Sequence, residues 1–448
     1  MATVTVAVAG TTNTANSNTY VSAAFSPVQD DLLVILSHVG SSVLPAARGD
    51  MTSANNVLGN CGRQAITDQA GTGQIFAHFG SYPVPPSPVS QDETLVVTGD
   101  TGADAIISVL RVSGMSRFGK AAIRRVGGVA QIASASGSGG ATPAVTLPAA
   151  CLTGNVVVAI LQNISSPAGM TPPASFTEAG DVGHASPTTG WEVAYRNSGH
   201  TSATVTWGGT SGSNWKALVF ELDTSAPTST GKTIGLVVGD SAVLTAGDRM
   251  IQQVLKNLGH TVTLHSDDDS VPASKDAFVI SESVAPLTLG TKYQNLSTPV
   301  LSMEIGGWDD QDWCSGNGTN PSSVTTIDLI NSLSGIEDGL TDPSVWQFTA
   351  AGLYGIDTTL LTVGAGIDYF AQHPTTTTSK CGFVYEKNSA LLSGALAAAR
   401  QGGLGFVDTP IVTAQDDAQD LFAAQLAWLL TPPPTSTADT EFVGVPMR

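Results

Sequence analysis

The pattern of apolar and polar positions changes near residue 225. Before it, short β-branched or alternating apolar runs are separated by clusters of Gly, Pro, Asn and Ser, and no stretch keeps a helical period. Such runs predict β-strands arranged as a sandwich or jelly roll. After it, strand-like apolar runs alternate with helical spacing, which predicts an α/β domain.

The β-rich part contains an internal repeat. In each copy a turn precedes an apolar strand and a hairpin leads to a final apolar strand, at 25–36 and 105–112 in the first copy and at 147–160 and 215–222 in the second. The repeat predicts two related β-sandwich or jelly-roll units, residues 1–115 and 116–224. One larger jelly roll built from both copies is the alternative.

A linker of small residues at 225–232 precedes the α/β domain, which we expect to span 233–430. The run 233–238 is bounded by Gly-Asp, as a buried parallel strand should be, and Thr245 with Asp248 offers a capped helix start. Further strands follow, and a last helix stops before a Pro run. This alternation predicts a doubly wound, flavodoxin-like parallel sheet.

Residues 431–448 form a Pro-rich C-terminal arm that is too short to fold alone. The arm either adds a strand to a neighbouring subunit or is a disordered terminus.

Several strand-like runs of the second half resemble the class I glutamine amidotransferase-like, flavodoxin-type domains: 235–240, 258–263, 278–283, 383–386 and 403–406. Catalytic members of that superfamily place a Cys on a strained turn after a strand, with a His and an acid later in the chain. Here the matching turn, 302–306, carries Glu304, and Cys314 lies ten residues on in a polar loop. The resemblance therefore implies a flavodoxin-type fold that lacks amidotransferase activity.

The triplet Gly239-Asp240-Ser241 resembles the nucleophile block of the Gly-Asp-Ser hydrolases. Those enzymes also need an Asp-x-x-His near the C-terminus, and the last helix region contains no His. We therefore expect no catalytic residue and no enzymatic activity. The polar residues expected at the carboxyl ends of the strands remain candidates for lining a pocket: Asp240, Ser241, Ser281, Glu282 and Glu304.

Trp191 and Trp215 permit two interpretations. Alternation along a strand predicts that they fill the sandwich core, whereas exposed indoles could stack on sugar rings of a glycan. The histidines of the β half lack metal spacing and are expected at the surface or in loops: His38, His78, His184 and His200.

Charge and composition narrow the partners. The net charge is −19, charged residues make up 12% of the chain, and no Lys/Arg cluster is present. Such a surface repels phosphate groups, so we expect no binding to nucleic acid or to an anionic membrane. With no apolar run of 18 residues and no basic start before an apolar core, we also expect neither membrane insertion nor a signal peptide.

Neither a metal nor a cofactor is expected. The four cysteines show no CxxC spacing, and the acidic runs at 267–269 and 309–312 do not match a regular calcium loop. The sequence allows a disulfide between Cys314 and Cys381 and does not require it.

The whole arrangement, tandem small-residue-rich β units followed by a degenerate α/β module and an arm, resembles minor tail and other virion surface proteins of actinobacterial phages, also in runs such as 191–195 and 204–207. The resemblance implies a structural protein of the virion, made in the host cytoplasm and located on the tail or as a head decoration. Its implied partners are other virion proteins, further copies of itself and host-surface glycans. The competing interpretation is a hydrolase or amidotransferase-like enzyme using the α/β pocket, or a glycan-binding module.

Overall fold

The computed structural model of the chain describes residues 2–13, 19–26, 28, 31–40, 50–53, 63–66, 74–81, 93–96, 104–164, 166–167, 170–185, 188–225, 231–318, 326–330, 332–336, 354–406 and 416–431. Strands predominate among these residues and form several sheets, so the prediction of a strand-rich chain is confirmed. Most of the linker and nearly all of the arm lie outside the described residues, and the domain boundaries stay predictions. No helix in the described part of the chain is both long and apolar enough to cross a membrane.

The first five-stranded sheet is antiparallel. Its strands lie in the order β1 (Thr3–Asn13), β8 (Asp104–Ser113), β3 (Leu32–Gly40), β6 (Gln74–Ser81) and β5 (Arg63–Ile66). A three-stranded sheet of β2 (Thr19–Val21), β7 (Glu93–Val96) and β4 (Asp50–Ser53) accompanies it. Tyr20 of β2 packs with Leu33 and Ile35 on the outer face of the larger sheet.

The second five-stranded sheet is also antiparallel, in the order β11 (Ile132–Gly137), β17 (Trp215–Leu222), β13 (Val156–Ile164), β15 (Thr188–Arg196) and β14 (Thr177–Ala185). Its companion sheet pairs β12 (Ala144–Thr146) with β16 (Thr204–Thr206), and β9 (Arg125–Val126) forms a small hairpin with β10 (Val129–Ala130). If the five strands of each large sheet are lettered a to e in chain order, both sheets read a-e-b-d-c.

The two large sheets pack face to face around one shared core. Phe79 of the first sheet meets Phe220 of the second edge to face, with ring centroids 5.1 Å apart. Trp191 lies in the same core, and its indole N–H donates to the Ser108 hydroxyl at 2.9 Å. Since each large sheet also packs its small sheet on its outer face, the β half has four layers. His38, His78 and His184 are buried strand residues in it, so the expectation of surface or loop positions is wrong for these three, whereas His200 lies in a loop.

The third large sheet begins after residue 231. Five of its strands run parallel, in the order β19 (Thr261–Ser266), β18 (Thr233–Val238), β20 (Ala277–Ile280), β21 (Val300–Ser302) and β26 (Gln401–Leu404). The antiparallel strands β25 (Ser379–Tyr385), β24 (Ile367–Gln372) and β22 (Asp328–Leu329) extend the sheet beyond β26, and β23 (Ile356–Asp357) pairs with β25. The sheet is therefore mixed rather than parallel throughout, because the short connection between β24 and β25 permits only a hairpin.

The longer helices α1 (Ala246–Asn257) and α3 (Asp416–Leu430) pack on the same face of this sheet. Thr245 and Asp248 form the predicted capping box of α1, which satisfies backbone N–H groups at its first turn. The opposite face is covered by the one-turn helix α2 (Pro286–Leu289) and by loops that carry Trp308 and Trp313. Within the described residues the sheet thus has its two longer helices on one face and a one-turn helix on the other.

Candidate functional site

The α/β sheet reverses its strand order next to β18. From β18 the chain moves outward to β19 and then returns to β20 on the other side. At such a point the two loops diverge from the carboxyl ends of the strands and can leave a ligand crevice. Here the loops approach each other closely, since a Cβ added to Gly239 would lie 2.5 Å from the Ser283 carbonyl oxygen.

Hydrogen bonds join these loops across the point of reversal. The Gly239 N–H donates to the Ser283 hydroxyl at 3.1 Å, and that hydroxyl donates to the buried Asp248 carboxylate at 2.7 Å. The other Asp248 oxygen accepts from the Thr245 N–H at 2.8 Å. Polar groups that could contact a ligand here are therefore occupied in holding the N-terminus of α1 against the loop after β20.

Asp240 and Ser241 lie on the loop after β18. Asp240 is exposed and accepts from the Ala242 N–H at 2.8 Å, so its carboxylate closes its own turn. The Ser241 N–H donates to the Ser266 hydroxyl, which in turn donates to the Ser241 hydroxyl at 2.9 Å. The Ser266 hydroxyl is not a general base, so its hydrogen bonds with Ser241 do not activate Ser241 as a nucleophile.

Ser281 and Glu282 follow β20, on the next loop. Ser281 is fully buried, its N–H donates to the Val237 carbonyl, and its hydroxyl has no hydrogen-bond partner among the described residues. Glu282 is half-buried. The candidates for a pocket thus occur on consecutive loops at one edge of the sheet, as their positions at strand ends predict.

Glu304 occupies the turn after β21, where the resemblance implies a nucleophile. Its carboxylate is buried and accepts from the Gly306 N–H at 2.6 Å, which caps the short helical turn Ile305–Gly307. A carboxylate at a helix N-terminus stabilises that terminus. The Glu304 side chain therefore helps to fix the conformation of this turn.

Burial of the three described thiols disfavours their ionisation. Cys151, Cys314 and Cys381 are free and buried. Burial raises the pKa of Cys151 to about 12 and that of Cys314 to about 11. The allowed disulfide between Cys314 and Cys381 is not formed, because these residues pack in the clusters on opposite faces of the α/β sheet. Since the thiolate is the good nucleophile, raised pKa values make Cys151 and Cys314 poor candidates for a catalytic role.

The two tryptophans considered as possible glycan contacts are core residues. Trp191 is fully buried between the large β-sheets, and Trp215 is 5% exposed in the cluster on the outer face of the second sheet. Stacking of a sugar requires an exposed ring face. Trp191 and Trp215 are therefore not glycan contacts in this structure.

The acidic runs of the α/β domain close loops. Asp267 accepts from the Ala285 N–H at 2.8 Å, Asp269 from the Ser266 N–H at 2.9 Å, and Asp312 from the Ser393 N–H at 2.9 Å. The Asp269 bond closes a local turn, which is a common use of Asp side chains, whereas Asp267 and Asp312 each join two loops that are far apart in the chain.

A different acidic group lies in the β half and was not expected from the sequence. Carboxylate oxygens of Glu178, Asp181 and Glu192 all lie within 4.8 Å of one another. The signal in the sequence is Glu192, a charged residue within the otherwise apolar strand run 191–195. Its neighbours across the sheet could not be named without the strand register.

Comparisons with known proteins leave the family open. No protein-family model matches the chain, and no curated protein matches it. Among solved structures, the chain is similar to a protein from Thermoplasma acidophilum that is named for one subunit of GMP synthase, with 14% identity and a TM-score of 0.32. That similarity covers 44% of this chain and 94% of the other. A score of this size is weak, and it does not bear on activity.

Proposed function

We propose that the chain is a structural protein of a phage virion, either a minor tail protein or a head or tail decoration. The β half anchors or assembles it, and a flavodoxin-like α/β domain without catalytic activity is displayed. The virion setting rests on the resemblance of sequence organisation. The other parts of the proposal rest on contacts within the molecule.

The observation that carries the proposal is the use of Glu304. Its carboxylate caps the turn at which an amidotransferase needs a thiolate, at 2.6 Å from the Gly306 N–H. Ser241, the alternative nucleophile, has a hydroxyl rather than a base as its hydrogen-bond partner. The contacts of Glu304 and Ser241 therefore support a domain with a structural rather than a catalytic role.

The strand order supports the fold class that we propose. Numbered in chain order, the five parallel strands read 2-1-3-4-5, which is the order of flavodoxin-like sheets. The repeated a-e-b-d-c order supports two related sandwich units before it. A four-layer β stack with a shared core is a rigid base, as an anchored virion component needs.

Electron microscopy with gold-labelled antibody tests the proposal. Antibody raised against the recombinant chain is applied to gradient-purified particles of the phage that encodes it, with particles of an unrelated phage as control. We expect gold at a regular position on the head or tail. Gold absent from intact and from partly dissociated particles would overturn the proposal.

An enzymatic assay tests the non-catalytic part separately. Wild-type protein and the Ser241→Ala and Glu304→Ala variants are assayed for glutamine hydrolysis and for ester hydrolysis. We expect no turnover above the buffer rate in any of them. Turnover in the wild type that either substitution abolishes would establish an enzyme instead.

A further inference from the structure

The acidic group of the β half is built by strand register. In the antiparallel pair of β14 and β15, Asp181 lies directly opposite Glu192, and Glu178 lies opposite Ala194. A bulge between Glu178 and Gly180 offsets the alternation of β14. The bulge therefore brings Glu178 and Asp181, three residues apart, toward the same neighbour.

Glu192 points away from the shared core. Its chain neighbours Trp191 and Val193 belong to that core, so alternation directs Glu192 to the outer face of the sheet. Leu161, its partner on the other side in β13, packs in the outer cluster. The three carboxylates thus gather on the outer face, near the edge strand β14.

Glu192 is the unusual member of the group. It has no exposed surface, and neither carboxylate oxygen has a hydrogen-bond partner among the described residues. Buried carboxylates are normally paired with a cation or with hydrogen-bond donors. The charged groups that act on Glu192 most strongly, apart from its burial, are Glu178 and Asp181, which are themselves acids. The site as described lacks a positive charge.

We propose that Glu178, Asp181 and Glu192 bind a divalent cation, with Ca²⁺ as the best fit. Ca²⁺ is coordinated by six to eight oxygens at about 2.3–2.6 Å, so two oxygens on opposite sides of the ion lie at most about 5 Å apart. The 4.8 Å limit of this group satisfies that span. Glu178 and Asp181 are exposed, which leaves room for water to complete the coordination.

The position of the site gives the ion a structural role. Gly180, next to Asp181, packs against the backbone of Ala9 in β1, where an added Cβ would overlap the Ala9 carbonyl group. The bulge of β14 is therefore also a contact between the second sheet and the first. A bound cation fixes this bulge and stabilises the joint between the two β units.

Calorimetric titration of the full chain tests the site. The protein is treated with EDTA, dialysed and titrated with CaCl₂ and, separately, with MgCl₂, and its thermal unfolding is followed with and without 5 mM of each salt. We expect one Ca²⁺ per chain with a dissociation constant in the range of about 10⁻⁵ to 10⁻³ M. Binding should raise the midpoint of unfolding, with a weaker response to Mg²⁺.

Three variants identify the ligands. Glu192→Gln removes the buried carboxyl group with little change of shape, while Glu178→Gln and Asp181→Asn change exposed side chains. We expect the first to abolish the Ca²⁺ response and each of the others to weaken affinity by roughly tenfold or more. Asp268→Asn, an exposed acid in the α/β domain, is the control and should leave binding unchanged.

Two results would overturn the proposal. One is the absence of Ca²⁺ binding and of any shift in unfolding in the wild type, in which case Glu192 is a buried protonated acid. The other is a Ca²⁺ response that persists in Glu192→Gln and in Asp181→Asn, which would locate the ion elsewhere.

Discussion

The side-chain amide of Asn257 forms hydrogen bonds with both the backbone N–H and the backbone carbonyl of Phe118. Its oxygen accepts from the Phe118 N–H at 3.0 Å, and its nitrogen donates to the Phe118 carbonyl at 2.9 Å. Asn257 ends α1 of the α/β domain, while Phe118 belongs to the shared core of the β half. This pair therefore fixes the α/β domain directly against the β stack.

Replacing Asn257 by Ala should loosen that attachment. Both backbone groups of Phe118 lose their partners, and we expect a loss of about 1–3 kcal/mol in the free energy of unfolding. Urea unfolding followed by fluorescence measures it. Lys256→Ala, on the preceding helix position, is the control and should cost less than about 0.5 kcal/mol. Equal stability of the two variants would contradict a role for this pair.

The stability of the metal-free protein should depend on pH through Glu192. Burial, together with Glu178 and Asp181, raises the pKa of Glu192 to about 9, whereas an unfolded Glu titrates near 4.3. Between these values the folded chain retains a proton that the unfolded chain has released. The stability that the protonated group provides is complete below about pH 4 and is lost as pH rises toward 9, by up to about 1.4 kcal/mol per pH unit.

Urea unfolding in EDTA at pH 5, 6, 7 and 8 measures this dependence. The wild type should lose stability with rising pH relative to Glu192→Gln, which has no carboxyl to titrate. With saturating Ca²⁺ the difference in slope should disappear, because the bound ion keeps Glu192 ionised. Parallel profiles in EDTA would show that Glu192 titrates normally.

Trp191 should be essential for stability and irrelevant to glycan contact. Trp191→Ala leaves a large cavity in the shared core and should cost about 3–5 kcal/mol. Chemical denaturation measures this loss, with Leu152→Ala, a half-exposed position of the same unit, as the control. A stable Trp191→Ala protein that had lost binding on a glycan array would contradict the assignment to the core.

Glu304→Ala should lower stability modestly and leave all other properties unchanged. Loss of the bond to the Gly306 N–H removes a helix cap, which is worth about 0.5–2 kcal/mol. Glu304→Gln retains an acceptor oxygen and should recover most of that stability. The midpoints of thermal unfolding of the two variants test the capping role. Equal decreases in Glu304→Ala and Glu304→Gln would contradict it.

The local elements were predictable because their signals are local. The buried strand 233–238, the capping box of Thr245 and Asp248, and the polar residues at the strand ends follow from apolar runs and turn chemistry. The same holds for the burial of Trp191, which alternation along its strand favoured over exposure.

Features that depend on long-range pairing were not predictable. The strands β13 and β17 are apolar on both faces, yet their sequence does not say that one face packs on a second large sheet. Likewise, Asp181 meets Glu192 only because a bulge shifts the register of β14. Cys314 and Cys381 pack on opposite faces of a sheet that is mixed, whereas the sequence pattern predicted a parallel sheet.

The most direct test of the proposed role as a virion structural protein is the copy number of the chain in phage particles. Quantitative mass spectrometry of gradient-purified, salt-washed particles gives its amount relative to the major capsid protein. We expect a fixed ratio that is the same between independent preparations and unchanged by washing. A chain that is abundant in the infected-cell lysate but absent from washed particles, or present in them at a variable ratio, would contradict it.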